Sequence, residues 1–244
     1  MLKRVNPKSL GEICNEWSSV CQKRQHAIEE GRDISLTLVT APCIIRHLRL
    51  DSPTTVLDVG CGTGYLTSEV SRCVQFCVGI DLSEPSISLA KKHYGGRNIE
   101  FIATEISKYT ADNPFDAGIA NMVFMSDPTW LESVKHIYQL LSPNGKLYVM
   151  ITHPCFWPKY WGYEDEAWFH YDEELFIEND FSITLEKSMG KSTYIHRPLT
   201  HYLAGLVSAG FMLDTIEEPY PVKNTPQGYE YSYPRFLFIK CTKK

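Results

Sequence analysis

The chain has 244 residues, of which 43% are hydrophobic, and it carries a formal net charge of -5. This length suits one globular domain with a substantial core and leaves little room for separate cofactor and substrate domains. The acidic balance, with no run of Lys and Arg interleaved with aromatic residues, argues against a nucleic-acid partner.

The sequence contains neither a recognisable secretion signal nor a redox motif. The segment Met1–Leu10 lacks the apolar stretch of a secretion signal, and no run of about 18 uninterrupted apolar residues follows it. The 8 cysteines are scattered, and even Cys73 and Cys77 do not have the Cys-x-x-Cys spacing of redox or zinc sites. We therefore expect a cytoplasmic protein with reduced thiols that is neither secreted nor membrane-spanning.

Two amphipathic helices, at about 9–30 and 33–49, are predicted first from apolar stripes at helical spacing. From residue 54 onward strands and helices alternate, which is typical of a parallel sheet with right-handed crossovers. The predicted strands are 54–59, 75–80, 99–102, 115–120 and 146–152, and the intervening helices begin near 65, 84 and 128. After an aromatic-rich stretch, 153–197, the pattern predicts a helix at 199–209 and strands at 211–217 and 235–241.

A glycine-rich loop follows the first predicted strand. The segment 56–64 reads Val-Leu-Asp-Val-Gly-Cys-Gly-Thr-Gly, with glycine at alternate positions. Glycine lets the backbone pass close beneath a ligand and adopt angles that a β-carbon forbids. Nicotinamide and flavin enzymes have a similar loop, so the loop alone does not identify the ligand.

Residues near the loop distinguish a dinucleotide from S-adenosylmethionine as its ligand. A dinucleotide fingerprint has a third glycine where this chain has Tyr65, and the carboxylate of Asp58 would repel a pyrophosphate. S-adenosylmethionine instead carries a cationic amino group and sulfonium, for which Asp58 is favourable. Asp81, about 20 residues beyond the loop, can accept ribose hydroxyls from either ligand.

Together with 101–106, 115–122 and 140–147, these motifs resemble those of class I S-adenosylmethionine-dependent methyltransferases. The resemblance covers roughly 54–152 and extends more loosely to the C-terminus. It implies an α/β Rossmann-like fold with a mostly parallel seven-stranded sheet, and S-adenosyl-L-methionine as cofactor. No metal site is predicted.

The resemblance also implies a set of cofactor-binding residues at the ends of neighbouring strands. Glu105 stands where this family more often has Asp, near the adenine. The set comprises Asp58, Gly60, Cys61, Gly62, Gly64, Asp81, Leu82, Glu105, Ile106 and Asn121.

Candidates for the acceptor site follow the fifth predicted strand of the sheet, at the edge where such folds bind ligands. His153 could be a general base, or it could only hydrogen-bond its loop. Cys155 as the nucleophile of a cytosine C5 methyltransferase is disfavoured, because the second Pro-Cys and a basic surface are missing.

The aromatic residues of 153–197 are expected to form the acceptor pocket or, alternatively, a satellite core. The residues predicted to bind the acceptor are Trp17, His153, Trp157, Tyr160, Trp161 and Arg197. Trp17 would cover the cofactor from the first helix, and Arg197 could pair with an acceptor carboxylate.

These observations predict a single domain with four parts: a helical cover (1–50), the S-adenosylmethionine-binding core (51–152), the substrate insertion (153–197), and a C-terminal helix with strands (198–244). The expected function is methylation of a small metabolite, natural-product intermediate or short peptide, at oxygen in preference to nitrogen, by a monomer or homodimer. An RNA or protein methyltransferase and a non-catalytic cofactor-binding partner subunit remain as alternatives.

Overall fold

The computed structural model describes residues 2–183, 185–221 and 232–244, apart from the side chains of Glu186 and Lys187. The α-helices in these ranges are α1 (Leu10–Glu29), α2 (Ala41–Asp51), α3 (Tyr65–Ser71), α4 (Glu84–Tyr94), α5 (Trp130–Leu140), α6 (Trp157–Trp161) and α7 (Leu199–Ser208). The strands are β1 (Lys3–Val5), β2 (Thr55–Val59), β3 (Phe76–Asp81), β4 (Ile99–Ala103), β5 (Phe115–Asn121), β6 (Leu141–Thr152), β7 (Leu175–Ile183), β8 (Glu186–His196), β9 (Phe211–Glu217) and β10 (Phe236–Lys243). None of the helices described is long and apolar enough to cross a membrane.

Seven strands form one mixed sheet in the order β4-β3-β2-β5-β6-β10-β9. Strands β2 to β6 pair in parallel, and β10 lies antiparallel between β6 and β9. The chain builds from β2 outward to β4 and then returns to place β5 on the other side of β2. A sheet whose strand order reverses in this way has a ligand-binding crevice at the carboxyl ends of the strands beside the reversal. The predicted Rossmann-like fold is therefore confirmed.

Helices cover both faces of this sheet, and β2 illustrates the packing. Val56 packs with residues of α2, α3 and α4, whereas Leu57 and Val59 pack with residues of α5 and α7. All three are buried. Both faces are apolar because a parallel sheet joined by crossover helices is enclosed on both sides.

The N-terminal helices agree with the sequence only in part. Ser9 and Glu12 form a capping box, in which each side chain accepts the other's backbone N–H, so α1 begins where it was predicted. The second predicted helix is broken: Ser35–Thr40 form a π-helical segment before α2. Pro42 lacks an N–H and would crowd the carbonyl of Leu38 in a continuous α-helix, which accounts for the wider turn.

The start of β6 also differs from the prediction. The strand begins at Leu141, directly after α5, although it was predicted to begin at 146. The predicted turn lies within its irregular first half, where Asn144 has φ 63° and the pairing with β5 shifts register.

The predicted insertion folds largely as a β-hairpin that joins the N-terminus. Strands β7 and β8 pair with each other, and β1 pairs with β7, so a second, three-stranded antiparallel sheet forms. We call α1 together with β1, β7 and β8 the cap. This sheet could not be predicted from the sequence, because β1 has only three residues and pairs with the distant residues 176–178, which leaves no local periodicity to detect.

Close packing and charge hold the two parts of the cap together. A Cβ added at Gly190 in β8 would lie 2.4 Å from Val20 Cγ1 of α1. Beside this contact, Lys8 Nζ lies 2.5 Å from Glu16 Oε1 of α1 and 2.8 Å from Glu178 Oε2 of β7. The helix and the second sheet therefore meet over a tight and charge-paired surface.

Candidate functional site

The carboxyl ends of β2, β3 and β5 open onto a cavity that α1 covers, and we call it the loop cavity. It is bounded by the glycine loop, the tip of β3, the residues after β4 and β5, and the inner face of α1. Seven of the predicted cofactor-binding residues and one predicted acceptor-binding residue line it: Gly60, Gly62, Asp81, Leu82, Glu105, Ile106, Asn121 and Trp17.

The glycines of the loop have distinct roles. Gly60 and Gly62 both line the cavity with positive φ, and a Cβ at Gly60 would lie 2.4 Å from Val123 Cγ2. A side chain at 60 would therefore force the wall of the cavity to move. Gly64, with φ 90°, is not part of the lining; a Cβ there would lie 2.8 Å from both Ala90 and Phe101. It serves the packing of the loop against α4 and β4.

Asp81 is held at the tip of β3 by two backbone donors. Its Oδ2 accepts the Gly62 N–H and its Oδ1 accepts the Ser83 N–H, each at 2.8 Å. Burial raises the pKa of Asp81 above its ordinary value, while the two N–H groups and the nearby Arg24 oppose that rise. A carboxylate oxygen can accept more than one hydrogen bond, so this fixed group can also accept the hydroxyls of a ribose.

Asp58 and Cys61, both predicted to bind the cofactor, do not line the loop cavity. Asp58 is only 1% exposed and accepts the Thr67 hydroxyl at 2.6 Å, and burial raises the pKa of its carboxyl to about 7. The Cys61 thiol faces Gly79 of β3, where an added Cβ would lie 3.0 Å from Sγ. Both side chains lie within the packing between the loop and its neighbours, which favours structural roles, and their contribution to cofactor binding stays a prediction.

The predicted residues after β4 and β5 do reach the cavity. The Glu105 carboxylate bonds to Ser107 and to Lys108, whose Nζ lies 2.9 Å from Oε2, and both contacts hold the pKa of Glu105 below its ordinary value. Asn121 contributes a buried amide oxygen that no donor in the described ranges satisfies. A ligand with an N–H group could satisfy it.

The chain turns sharply after Asn121. Met122 has φ 61°, a conformation that non-glycine residues rarely adopt, and its N–H donates to the Met150 carbonyl at 2.8 Å. The turn places Met122 and Val123 against the loop cavity. Backbone strain of this kind often accompanies binding sites, and no local sequence signal predicts it.

A second cavity, which we call the aromatic cavity, adjoins the loop cavity. Its walls include Trp157, Tyr160 and Trp161, as predicted for the acceptor site, and also Tyr194 of β8. The residues that line both cavities are Trp17, Arg24, Met122, Met125, Ser126 and Phe181. Trp17 of α1 and Phe181 of β7 contact edge to face, with ring centres 4.9 Å apart, so the cap closes over the junction.

His153 does not line either cavity. Its Nδ1 accepts the Cys155 N–H at 3.2 Å, and its Nε2 lies 2.9 Å from Glu218 Oε1. Burial lowers the pKa of His153, and the Glu218 carboxylate opposes this. Both ring nitrogens are engaged and the ring lies away from both cavities, which favours the structural alternative, while the role of His153 as a general base stays a prediction.

Arg197 is also not part of the cavity walls, and it is completely buried. Its guanidinium pairs with Glu174 and donates to the carbonyls of Phe124 at 2.7 Å and Asp127 at 2.9 Å. These contacts favour a structural role for Arg197, and its pairing with an acceptor carboxylate stays a prediction. The side chain fixes the turn between β5 and α5 to the base of β8.

One cluster of possible metal ligands occurs in the described ranges, at Cys43, His47 and Glu217. None of the three lines either cavity. Arg46 Nη2 lies 2.5 Å from Glu217 Oε1, and burial raises the pKa of the Cys43 thiol to about 12. A protonated thiol beside a guanidinium is a poor cation site, so the cluster is better explained as a polar contact between α2 and β9.

Several lining residues were not identified from the sequence. Leu10, Cys14 and Arg24 of α1 lie on the face that carries Ile13, Trp17, Val20 and Cys21, a stripe that predicted packing only. The side chains from β7 and β8 reach the site through pairing with the distant β1 and contact with α1. The helical stripe could have suggested the first group, whereas nothing local identifies the second.

Residues 56–145 match a family model described as a methyltransferase domain. The malonyl-[acyl-carrier protein] O-methyltransferase of Halalkalibacterium halodurans is 35% identical over 106 residues, 40% of this chain and 38% of that protein. The enzyme of the same description from Acetivibrio thermocellus is 28% identical over 84% of this chain and 69% of that protein. The chain thus spans well under two thirds of the first of these relatives.

Among solved structures, a candidate S-adenosylmethionine-dependent methyltransferase from Listeria monocytogenes superimposes with a TM-score of 0.67. It is 24% identical, and the match covers 84% of this chain and 98% of that one. A likeness at this identity concerns the fold, and it extends beyond 56–145 to most of the chain.

Proposed function

We propose that the chain is a class I S-adenosylmethionine-dependent methyltransferase that transfers the methyl group of this cofactor to an oxygen of a small molecule held in the aromatic cavity. The observation that carries the proposal is the contact between the two cavities, which share six lining residues. A cofactor in the loop cavity and an acceptor in the aromatic cavity would meet beneath Trp17 and Phe181.

The residues of the loop cavity fit this cofactor. Asp81 would hold the ribose hydroxyls, the unsatisfied Asn121 oxygen would accept an N–H, and Glu105 lies at the end of β4 where the adenine is expected. Gly60 and Gly62 keep the wall of the cavity free of side chains. The carboxylates around the cavity also favour a ligand with positive charge.

The bound cofactor supplies a methyl group on a positively charged sulfur, which is already activated for displacement. The remaining task of the protein is to align the acceptor and to exclude water. Trp17 and Phe181 exclude water by closing the junction between the two cavities. Since both ring nitrogens of His153 are engaged, by Glu218 and by the Cys155 N–H, oxygen acceptors that need little or no base are favoured, and the names of both curated relatives describe O-methyltransferases.

The proposal can be tested with S-adenosylmethionine that carries a deuterated methyl group. The purified protein would be incubated with hydroxylated small molecules, a short peptide, a malonyl thioester of acyl carrier protein, and total RNA, and the products analysed by mass spectrometry. We expect label on a small-molecule oxygen, and loss of that label in Asp81→Ala.

Label on RNA or on a protein side chain would contradict a small-molecule acceptor. Binding of the cofactor without transfer to any acceptor in the set would favour a non-catalytic partner subunit. Failure to bind the cofactor at all would remove the basis of the proposal.

A further inference from the structure

Four buried polar atoms on the wall of the aromatic cavity have no hydrogen-bond partner in the described ranges. They are Thr40 Oγ1 and Trp157 Nε1, together with Thr152 Oγ1 and Tyr194 Oη, whose nearest polar neighbours are each other and the Tyr163 hydroxyl, beyond ordinary hydrogen-bond distance. A buried polar atom left unpaired costs about 1–3 kcal/mol, and folded proteins rarely leave one so. Four such atoms around one cavity indicate a ligand that carries the matching groups.

The inference that follows rests on the function proposed above. We propose that the aromatic cavity binds an uncharged, planar ring compound with at least two polar substituents, one of which is the hydroxyl that is methylated. The Trp157 N–H would donate to one substituent, and the hydroxyls of Thr40, Thr152 and Tyr194 would donate to or accept from the others. This assignment gives every one of the four atoms a partner.

The side chains next to these atoms favour a flat ring. The Trp157 ring centre lies 4.9 Å from that of Tyr160, 5.6 Å from that of Trp161 and 6.1 Å from that of Tyr194. All four rings line the cavity. Aromatic side chains offer a large apolar area, and they pair with another ring by offset or edge-to-face contact.

The charges on the cavity wall favour a neutral ligand. Arg24 Nε lies 3.4 Å from Asp33 Oδ2, and the Arg235 guanidinium lies 4.2 Å from the centre of the Tyr160 ring. Asp180 lies 4.0 Å from Lys191. The wall therefore carries two cationic and two anionic side chains with partners of their own, and a charged acceptor would find no excess of opposite charge.

The transfer itself is balanced without a further reactant. The acceptor oxygen forms the new bond to the methyl carbon as the bond from that carbon to sulfur breaks, and the electron pair of the broken bond returns to sulfur. The sulfonium becomes a neutral thioether, and the proton of the ring hydroxyl, which is more acidic than that of an aliphatic alcohol, leaves to solvent outside the closed junction.

A binding experiment separates this inference from the proposed function. Isothermal titration with S-adenosylhomocysteine first establishes that the cofactor site is intact. With that ligand present, binding of three ring probes would be measured by saturation-transfer NMR and titration: neutral 3,4-dihydroxyacetophenone, anionic 3,4-dihydroxybenzoate, and acetophenone, which has no hydroxyl. We expect the neutral dihydroxy compound to bind most tightly.

Three variants remove single polar atoms with little change of shape: Tyr194→Phe, Thr152→Val and Thr40→Val. Each should weaken the neutral dihydroxy probe roughly three- to tenfold, the effect of one uncharged hydrogen bond, with the affinity for S-adenosylhomocysteine unchanged. Tyr202→Phe is the matched control, because the Tyr202 hydroxyl is also buried beyond ordinary hydrogen-bond distance of a partner, with Arg197 as its nearest donor, but lies outside both cavities. It should leave probe binding unchanged.

Thermal unfolding of the ligand-free protein distinguishes a hydroxyl that binds the ligand from one that only stabilises the fold. Removing an unpaired hydroxyl should leave the melting temperature of Tyr194→Phe unchanged or higher, whereas a hydroxyl that bonds within the protein would lower it when removed. Equal probe affinity in wild type and all three variants, tighter binding of the anionic probe, or no binding of any ring probe at millimolar concentration would overturn the inference. None of these outcomes depends on the cofactor site, which the first titration tests alone.

Discussion

The two cavities are built in different ways. The loop cavity comes mainly from consecutive elements, β2 to β5, in which each binding residue follows its strand directly along the chain. The aromatic cavity needs α1, the π-helical segment before α2, the end of β6, α6, and the hairpin β7 and β8. The cofactor site is therefore a local property of the parallel sheet, whereas the acceptor site exists only after distant segments have docked.

The two cavities also differ in which groups of the protein would contact a ligand. In the loop cavity the backbone presents two N–H groups to Asp81 and leaves room at Gly60, so recognition depends on the main chain. In the aromatic cavity the walls are side chains from the cap and from α6. Substitutions in β8 and α6, which do not line the loop cavity, can therefore change the acceptor without changing the cofactor.

The largest effect that separates the two regions is expected from Asp81→Ala. It removes charge-assisted hydrogen bonds to the cofactor, worth about 1.5 to 3 kcal/mol, or roughly 10- to 150-fold in affinity. Isothermal titration with S-adenosylhomocysteine measures the change. Asp112→Ala, which removes an exposed carboxylate outside both cavities, is the control. A comparable loss in both variants would show that Asp81 acts only through net charge.

The second prediction tests whether docking of the cap shapes the site. Gly190→Ala places a methyl group 2.4 Å from Val20 Cγ1, so it should reduce the free energy of unfolding by about 1–3 kcal/mol and lower turnover. Val20→Ala in the same chain should restore much of both, because it removes the clashing group. Denaturant unfolding and methyl-transfer rates are measured for each variant.

Gly11→Ala is the control for this pair of variants, since a Cβ at Gly11 in α1 meets nothing within 4 Å. It should leave stability equal or slightly higher. If Gly190→Ala unfolds like wild type, or if Val20→Ala adds a further loss in the double variant, the contact between α1 and β8 is not the one described.

A third, smaller effect should be confined to the aromatic cavity. Trp157→Ala or Tyr160→Ala is expected to lower turnover at least tenfold, or about 1.4 kcal/mol in the barrier, while cofactor affinity stays within about twofold. Phe76→Ala, which removes a half-exposed ring at the start of β3, controls for loss of an aromatic side chain. Parallel losses of turnover, cofactor affinity and melting temperature would instead identify the two rings as a satellite core.

The smallest effects concern pH, and they have opposite signs in the two regions. In the cap, Lys8, followed by Lys191 and Lys3, holds the pKa of Glu178 at about 2, below the ordinary 4.5. Its stabilising contribution is present above pH 4.5 and is lost as the pH falls toward 2. In the core, burial raises the pKa of Asp58 from 3.8 to about 7, so stability falls as the pH rises through that interval.

Denaturant unfolding as a function of pH tests both signs. Glu178→Gln should flatten the acid side of the stability profile, and Asp58→Asn should flatten the decline toward neutral pH. Variants that change stability by the same amount at every pH would show that neither carboxyl titrates as described.

Much of the core could be predicted from the sequence because its signals are short-range. The glycine loop, the start of α4 at Glu84 and the alternation of strands and helices depend on neighbours in the chain, and each appears where it was predicted. Asp81 and Asn121 reached the loop cavity because parallel strands bring their carboxyl ends to one edge. Asp58 did not, since the position of an acid after a strand leaves open whether it faces the ligand or the next helix.

The sequence by itself determined the class of fold, the glycine loop and the residues at the ends of β3, β4 and β5. Only the tertiary structure decided the use of His153 and Arg197, whose polar atoms are taken by Glu218, Glu174 and backbone carbonyls that are distant in sequence. It also decided that β1 joins the hairpin and that Trp17 meets Phe181 over the junction. The physical reason is that local geometry fixes hydrogen-bond ladders and turns, whereas the partner of a buried side chain depends on which distant surfaces pack together.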